Sequence, residues 1–158
     1  MNCHNICIFP EIRNTMHFLT DDYFMQLALK EAMKGRDKQE IPVGAVITAQ
    51  GQVLAKAHNL TETLQDVTAH AEILAITSAE NNLGAKYLQE CSMYVTVEPC
   101  AMCAGAIAWS QIARLVYAAP DPKRGYSQFQ PSLLHPKTEV KQGVRANEAA
   151  ALMQQFFE

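Results

Sequence analysis

The chain has 158 residues, with 13 Lys and Arg against 16 Asp and Glu, a formal net charge of −3 and 49% hydrophobic residues. This length and apolar content predict one globular domain with a substantial core, and they exclude intrinsic disorder and a low-complexity polymer. No apolar stretch reaches the ~18 residues that span a membrane, so we expect no membrane contact. The acidic balance excludes indiscriminate coating of nucleic acid, which needs a strongly basic surface, although it allows a local basic patch.

Residues 1–19 show no periodicity of helix or strand. We expect them to form a peripheral leader and residues 20–158 to form the functional domain. Cys3, His4 and Cys7 lie in the leader, but their spacing matches no common zinc motif. The leader also lacks the basic and apolar regions of a secretory signal, so we expect a cytoplasmic protein with reduced cysteines.

The first predicted elements are a helix and a hairpin. Thr20 precedes two acidic residues, which is typical of a helix N-terminus, and the helix continues to about residue 33 before Gly35 ends it. Two strongly apolar runs follow over 43–48 and 53–58, separated by a Gln-Gly turn. Such a pair of runs predicts a β-hairpin.

The rest of the chain alternates helices and strands. Thr68 predicts the cap of a helix over 69–81 that ends at Gly84. The later elements follow in the order strand 92–97, helix 100–109, strand 114–118, strand 139–144 and helix 148–157. The segment between the last two strands holds four prolines, and so long a segment in a compact domain is usually functional. This order of elements predicts an α/β fold, a mixed sheet with helices on both faces.

Two short motifs carry the chemistry of the sequence, His70-Ala71-Glu72 and Pro99-Cys100-Ala101-Met102-Cys103. Alone, the first indicates a cap-region histidine with a solvated glutamate more often than a site. Alone, the second indicates a redox pair or half of a structural zinc site. A four-cysteine site would have to recruit the leader, because Cys91 is the only other cysteine outside it. The redox pair is disfavoured because the motif does not follow the first strand of a thioredoxin-like βαβ pattern.

Together, the two motifs supply three zinc ligands: His70, Cys100 and Cys103. Three ligands leave the fourth tetrahedral position open for water, which is the arrangement of a catalytic zinc. Cys100 and Cys103 share one face at a helix N-terminus, where the helix dipole favours thiolates. Two thiolates cancel the formal charge of zinc, so a carboxylate that takes the proton from water is required, and Glu72 follows His70 closely. We therefore expect one catalytic Zn²⁺ per chain.

The combined pattern H-x-E…P-C-x-x-C resembles the cytidine-deaminase superfamily of zinc enzymes. Three longer strings are similar to the bacterial tRNA adenosine deaminases within it: IPVGAV at 41–46, TAHAEI at 68–73 and YVTVEPCAMCAGA at 94–106. The similarity runs from about residue 21 to residue 157. It implies a three-layer α/β/α fold around a five-stranded mixed sheet, and a homodimer with active sites near the interface.

The resemblance implies hydrolytic deamination of adenosine to inosine at the wobble position of a tRNA anticodon, with the anticodon stem-loop as the partner. Zinc on His70, Cys100 and Cys103 would activate the water that attacks carbon 6 of adenine. Glu72 would protonate the ring nitrogen and then the departing ammonia. Glu98, which precedes the cysteines, is expected to cap or brace their helix.

The resemblance also implies substrate contacts. Asn59, Val43 and the Ala69 main chain would line a pocket for the flipped base, although spacing alone favours a strand-end turn for Asn59. Asp121 matches the Asp-x-Lys-x-Gly loop that contacts the RNA beside the target base. Three further candidates for RNA contact are Lys123, Arg124 and Phe157. The two cations otherwise form a solvated loop pair, and the aromatic ring otherwise packs in the core.

Departures from the family pattern keep other activities open. Val67 stands where proline is common, Tyr126 and Phe129 are bulky where small residues follow the glycine, and the pI is about 5.9. The alternative is a deaminase of a free base or nucleoside, such as guanine, cytosine or cytidine. A non-catalytic RNA-binding module is a third hypothesis, and Glu72 argues against it because a pseudoenzyme needs no proton carrier.

Overall fold

The computed structural model describes residues 19–158. Its strands are β1 Gly44–Ala49, β2 Gln52–His58, β3 Cys91–Val97, β4 Arg114–Ala119 and β5 Glu139–Gln142. They form one sheet in the order β2-β1-β3-β4-β5. β1 is antiparallel to β2 and to β3, whereas β3, β4 and β5 run parallel. The predicted mixed sheet of five strands is thus confirmed. Residues 1–18 of the predicted leader, which include Cys3, His4 and Cys7, lie outside the described residues.

Helices cover both faces of this sheet. They are α1 Asp21–Asp37, α2 Thr61–Leu64, α3 Ala71–Leu83, α4 Ala101–Ser110 and α5 Ala146–Phe157. On one face, α1 and α5 bury Phe24 and Ala149 against Val46 and Val116 of the sheet. On the other face, α3 and α4 pack on the alternate strand residues, which include Ile47 and Leu115. Because successive strand residues point to opposite faces, the two cores are separate and the fold has three layers.

Helix α1 begins as predicted but ends later. The Thr20 hydroxyl accepts a hydrogen bond from the backbone of Tyr23 at 3.2 Å, as expected of an N-cap. The prediction that Gly35 ends the helix is wrong, because the helix continues to Asp37. A Cβ atom on Gly35 would lie 3.4 Å from the Cβ of His58, so this glycine permits close packing of α1 on β2.

Helix α3 begins two residues later than predicted, at Ala71. Thr68 does not cap it, because the Thr68 hydroxyl and backbone N–H both donate to the Asp66 carboxylate. His70 occupies the N-cap position instead, in an extended conformation. The predicted stop is confirmed, since Gly84 adopts a φ of 64° that favours glycine.

Other boundaries shift by one or two residues, and two short elements were not predicted from the sequence. α4 begins after Cys100, α5 begins at Ala146, and β5 ends before Gly143, which turns the chain with a φ of 91°. The unpredicted elements are α2 and a 3₁₀ turn over Tyr126–Gln128. None of the helices formed by residues 19–158 is both long and apolar enough to cross a membrane.

Candidate active site

The carboxyl ends of β3 and β4 bring the predicted site residues together. β3 leads through Pro99 into α4, whose N-cap is Cys100. His70 is the N-cap of α3, and β4 leads into the loop that contains Asp121. Because β3 and β4 are parallel, these segments meet at one edge of the sheet, where ligands of α/β proteins commonly bind.

His70, Cys100 and Cys103 converge with their ligand atoms facing one another. The Nδ1 atom of His70 lies 3.7 Å from Sγ of Cys100 and 3.5 Å from Sγ of Cys103. All three ligand atoms lie within 4.8 Å of one another. A tetrahedral zinc ion, with Zn–S of about 2.3 Å and Zn–N of about 2.1 Å, separates such ligands by roughly 3.6 Å. The observed separations therefore fit a zinc ion held by these three residues.

The two thiols of this cluster differ in acidity. The hydrogen bond from Cys103 lowers the pKa of Cys100 to about 4, with help from His70 and against the effect of burial. The pKa of Cys103 rises well above its usual range, because its thiol donates to Cys100 and is buried. The hydrogen bond to Cys100 raises the pKa of His70. Zinc binds deprotonated thiols and neutral imidazole, so metal binding to this cluster releases the protons that its ligands carry.

Glu72 lies beside the cluster without belonging to it. It is the second residue of α3 and is 4% exposed. Burial raises the pKa of its carboxyl group, and this effect exceeds the opposing effects of a backbone hydrogen bond and the charge of His70. A carboxyl group with a raised pKa next to a reaction site is suited to take up and release a proton.

A cavity of about 420 Å³ opens over the cluster. Predicted residues that line it are His70, Glu72, Cys100, Val43, Asn59, Asp121, Lys123, Arg124 and Phe157. Cys103 is completely buried behind this lining. Ala69 does not reach the cavity: its N–H donates to Asp66, its carbonyl accepts from Leu60, and Ala71 is the neighbouring residue in the lining. The volume is within the range of small-molecule sites.

Asn59 is both a residue at the end of a strand and a wall of the cavity. It follows β2, is 5% exposed, and its backbone N–H donates to the carbonyl of Val43 at 3.2 Å. Its side-chain Nδ2 donates to the carboxylate of Glu40 at 3.0 Å and to the hydroxyl of Thr61 at 3.1 Å. The two interpretations of Asn59 from the sequence are therefore compatible in the fold.

The loop over 121–127 forms another wall, and Glu98 holds it. The carboxylate of Glu98 accepts from the backbone of Asp121 at 2.8 Å and from the backbone of Ser127 at 3.2 Å. A Cβ atom on Gly125 would overlap this carboxylate, so the loop needs glycine there. The expected role of Glu98 is thus corrected: its carboxylate supports this loop instead of α4, because the backbone N–H groups of the loop require buried acceptors.

Five residues of the site were missed by the sequence analysis. Four of them line the cavity, namely Ile41, Thr61, Val97 and Met153, and Glu40 lies behind Asn59 with no exposed surface. Ile41 is the first residue of the string IPVGAV that carries the resemblance, but no spacing rule places it at a cavity. A single glutamate before an apolar run is usually a surface residue, so the burial of Glu40 could not be read from its neighbours.

The family model for the cytidine and deoxycytidylate deaminase zinc-binding region matches residues 19–119, which include both motifs. The chain belongs to this deaminase family. Its members are zinc-dependent hydrolases, and the cluster of His70, Cys100 and Cys103 provides a zinc site of the kind the family uses. The five-stranded architecture agrees with this membership.

Two relatives match this chain along most of their own length. The tRNA-specific adenosine deaminase of Aquifex aeolicus is 43% identical over 143 residues, which cover 86% of this chain and 93% of that protein. The enzyme of the same name from Bacillus subtilis is 42% identical over 142 residues, covering 87% and 88%.

Solved structures give a similar result. A structure from work on A-to-I editing by tRNA:A34 deaminases at the wobble position of transfer RNA is 43% identical, with a TM-score of 0.78, and covers 82% of this chain and 98% of that chain. A guanine deaminase from Bacillus subtilis is 40% identical with a TM-score of 0.62, but the match covers 64% of this chain and 65% of that chain.

Proposed function

We propose that the protein converts adenosine to inosine at the wobble position of a tRNA anticodon. The observation that carries the proposal is the meeting of His70, Cys100 and Cys103 with the buried Glu72 at one cavity. The choice of substrate is supported by the relatives named tRNA-specific adenosine deaminase, which match this chain along nearly their whole length. Water and adenosine give inosine and ammonia in this reaction.

In this proposal each residue of the cluster has a defined role. His70, Cys100 and Cys103 would hold the zinc ion, which would supply a Lewis acid able to lower the pKa of water toward neutral pH. Glu72 would take one proton from the attacking water and give it to the ring nitrogen. It would then take the remaining proton of the newly attached hydroxyl and deliver it to the departing amino group, so that ammonia leaves and carbon 6 keeps a carbonyl oxygen. Its burial and raised pKa favour this exchange, because a carboxyl group that returns its proton must not be a strong acid.

The cavity walls bind the nucleotide and its neighbours. Val43 and Asn59 line the part of the cavity that receives the target nucleoside, and Asp121 lies in the loop beside it. Lys123 and Arg124 are exposed on that loop and offer positive charge to phosphates. Phe157 lines the cavity and is 67% exposed, so its ring offers a face on which a neighbouring unpaired base can stack.

A second candidate is deamination of free guanine, which the similarity to the guanine deaminase of Bacillus subtilis favours. The bulky residues after Gly125 give this candidate no support. Tyr126 is 7% exposed and packs edge-on against Tyr117, with ring centroids 6.2 Å apart. Neither Tyr126 nor Phe129 lines the cavity, so neither narrows it against a nucleotide within an RNA loop.

The test is a comparison of substrates. Zinc-loaded protein is incubated with an anticodon stem-loop that carries a wobble adenosine, and separately with free adenosine, guanine, cytosine and cytidine. A stem-loop with guanosine at the wobble position is the matched control. We expect inosine in the first stem-loop and no comparable turnover of the free compounds. Rapid deamination of free guanine, with no inosine in the stem-loop, would favour the second candidate.

We also propose that the protein is a homodimer. Met102 and Trp109 lie seven residues apart on one face of α4 and are 38% and 84% exposed. An exposed apolar stripe of this kind favours contact with another protein surface. Sedimentation of the wild type and of Trp109→Glu measures the mass in solution, and we expect the substitution to shift the wild-type dimer toward monomer.

Cellular location and domain limits are proposed on chemical grounds. The zinc ligands include two free thiols, and the cytoplasm keeps thiols reduced, so we propose a cytoplasmic enzyme. We further propose that residues 20–158 form the deaminase domain and that residues 1–19 are a peripheral leader. Fractionation of cells tests the location, and truncation tests the domain limits.

A further inference from the structure

Glu40 is a fully buried carboxylate that belongs to no part of the proposed reaction. It is 0% exposed, and its oxygens accept five hydrogen bonds within 3.4 Å. The donors are the Asn59 amide, the Thr61 hydroxyl, the Glu62 backbone, and the backbone and hydroxyl of Thr63. Burial raises the pKa of Glu40, but these hydrogen bonds outweigh burial and leave the pKa below its usual value. Glu40 is therefore ionised at neutral pH and can only accept hydrogen bonds.

The charge of Glu40 fixes the orientation of the Asn59 amide. An amide can be turned so that either its nitrogen or its oxygen faces a neighbour, and only the nitrogen can donate to a carboxylate. Both hydrogens on Nδ2 are used, one by Glu40 at 3.0 Å and one by Thr61 at 3.1 Å. The opposite orientation would place the amide oxygen against the carboxylate. The Oδ1 atom must therefore lie on the side away from Glu40.

The Oδ1 atom of Asn59 is available to a ligand. No hydrogen bond to this atom occurs within residues 19–158. No completely buried side-chain oxygen or nitrogen in that range lacks a partner, so Oδ1 is at the accessible surface. Asn59 lines the cavity and is otherwise buried. This wall of the cavity therefore presents a hydrogen-bond acceptor and no amide donor.

An acceptor on this wall restricts which group of an adenosine nucleotide can meet it. The N1, N3 and N7 atoms of adenine are themselves acceptors, so the Asn59 oxygen repels them. The 6-amino group is the only donor of the base, and the proposed reaction directs this group to Glu72 and the metal cluster. Within an RNA chain the 3′ oxygen is esterified, so the 2′-hydroxyl is the donor that remains.

We propose that Asn59 accepts a hydrogen bond from the ribose 2′-hydroxyl of the target nucleotide, and that Glu40 is the positioning residue that keeps the Asn59 oxygen turned toward it. The inference rests on the proposed function and deepens it, because it gives the site a means to distinguish RNA from DNA at the reacting nucleotide. Asn59 determines specificity, whereas Glu40 acts only through Asn59.

The experiment compares three stem-loops that differ only at the 2′ position of the target adenosine: hydroxyl, hydrogen and fluorine. The fluorine substituent keeps an RNA-like sugar conformation but cannot donate a hydrogen bond. For the wild type we expect kcat/KM to fall roughly 5- to 100-fold for both modified stem-loops, the loss that follows when a buried acceptor is left unpaired. Inosine in the all-ribose stem-loop tests the proposed function separately.

Variants then assign the effect to residues. In Asn59→Ala the ratio of kcat/KM between the ribose and deoxyribose stem-loops is expected to fall to about 1–2, because no acceptor remains. In Glu40→Gln we expect an intermediate ratio, because a neutral amide no longer forces one orientation on Asn59. Asn82→Ala is the matched control, since Asn82 donates to the Leu54 carbonyl on the surface, and it should keep the wild-type ratio. A ratio within each variant cancels any general loss of activity.

Several outcomes overturn the inference. Equal rates on the three stem-loops in the wild type would show that the 2′-hydroxyl is not read. If Asn59→Ala kept the wild-type ratio of kcat/KM between the ribose and deoxyribose stem-loops, another residue would recognise the 2′-hydroxyl. If Glu40→Gln kept that ratio, Glu40 would have no role in positioning Asn59. If Glu40→Gln does not fold, Thr61→Val removes the second amide partner without exposing a buried charge, and its ratio must also fall. Absence of inosine from the all-ribose stem-loop would refute the proposed function instead.

Discussion

The two ends of the parallel strands use charge in opposite ways. At the amino end of β4, Asp21 binds Arg114 through two hydrogen bonds of 2.6 and 2.8 Å. The same carboxylate accepts from Tyr94 and from Lys141, each at 2.9 Å. The Arg114 hydrogen bond lowers the pKa of Asp21 below its usual range, and burial beside Asp21 raises the pKa of Tyr94 to about 12. Every charge in this group has a partner of opposite sign, and the group fastens α1 to the sheet.

At the carboxyl end, the ionisable groups lack such partners. No salt bridge within the described residues reaches Glu72, and the thiols of Cys100 and Cys103 face each other and His70. Burial raises the pKa of Glu72 above its usual value, whereas the hydrogen bond from Cys103 lowers the pKa of Cys100 to about 4. Paired charges at the amino end therefore stabilise the fold, whereas the ionisable side chains at the carboxyl end, which face one another, form the candidate site for metal binding and proton transfer.

The largest effect should come from Glu72, the proposed proton carrier at the carboxyl end. We expect Glu72→Gln to lower turnover at least ~10²-fold while keeping about one zinc ion per chain, because it removes the acid and leaves the ligands. Elemental analysis measures the zinc. Cys103→Ala should lose zinc as well as activity. Glu80→Gln, on the same helix but away from the cavity, is the control and should change neither. Loss of zinc from Glu72→Gln to the extent seen in Cys103→Ala would contradict the assigned roles.

A smaller effect is expected at the loop that Glu98 holds. Gly125→Ala must move the loop over 121–127, because the new Cβ overlaps the Glu98 carboxylate. We expect turnover of the stem-loop to fall about tenfold or more through misplacement of the substrate, with zinc retained. Gly84→Ala is a control for backbone strain, since Gly84 has a positive φ and open space around it. An equal loss of turnover in both variants would show that the loop has no special role.

A substitution at the amino end of β4 should lower the stability of the fold and leave the catalytic rate unchanged. We expect Asp21→Asn to lower the free energy of unfolding by about 1–2 kcal/mol at neutral pH, because charge-assisted hydrogen bonds are lost. The folded state lowers the pKa of Asp21, so its contribution is complete above the unfolded value of about 3.9 and is lost as pH falls through the folded value. Denaturant unfolding from pH 7 to pH 3 measures this, and a constant difference between variant and wild type would contradict it.

The smallest effect is expected from a deletion at the N-terminus. Deletion of residues 1–15 should leave the melting temperature, zinc content and turnover nearly unchanged, because these residues show no pattern of helix or strand and precede the domain. Calorimetry and elemental analysis measure the first two. A large fall in melting temperature, or loss of zinc, would show that Cys3, His4 or Cys7 supports the fold or the metal.

The sequence predicted the metal cluster well because its residues are tied to helix starts. Cys100 and Cys103 are fixed relative to each other by one helical turn, and His70 begins the preceding long helix. Helices that follow the carboxyl ends of strands in such a sheet begin at one edge, so the convergence could be expected. Strands β1, β3 and β4 were predictable for the related reason that their apolar runs are continuous and buried, whereas β5 is a short exposed strand of sequence EVKQ.

Contacts between distant segments could not be predicted in the same way. Glu40 and Asn59 are joined by a hydrogen bond across nineteen positions of sequence, and no local pattern marks either residue. The true start of α3 depends on Asp66, whose carboxylate takes the Thr68 hydroxyl that was expected to cap the helix. Gly35 lies within α1 and faces His58 of β2, and this contact between distant segments leaves no local sign in the sequence that the helix continues past the glycine.

The most direct test of the account is a zinc titration of inosine formation. The protein is freed of metal with a chelator, zinc is returned in measured amounts, and inosine is quantified at the wobble position of the all-ribose stem-loop. The account predicts background turnover without metal and a linear recovery that ends at one zinc ion per chain for the wild type, with no recovery for Cys103→Ala. Inosine formation at the wild-type rate by the metal-free protein would contradict it.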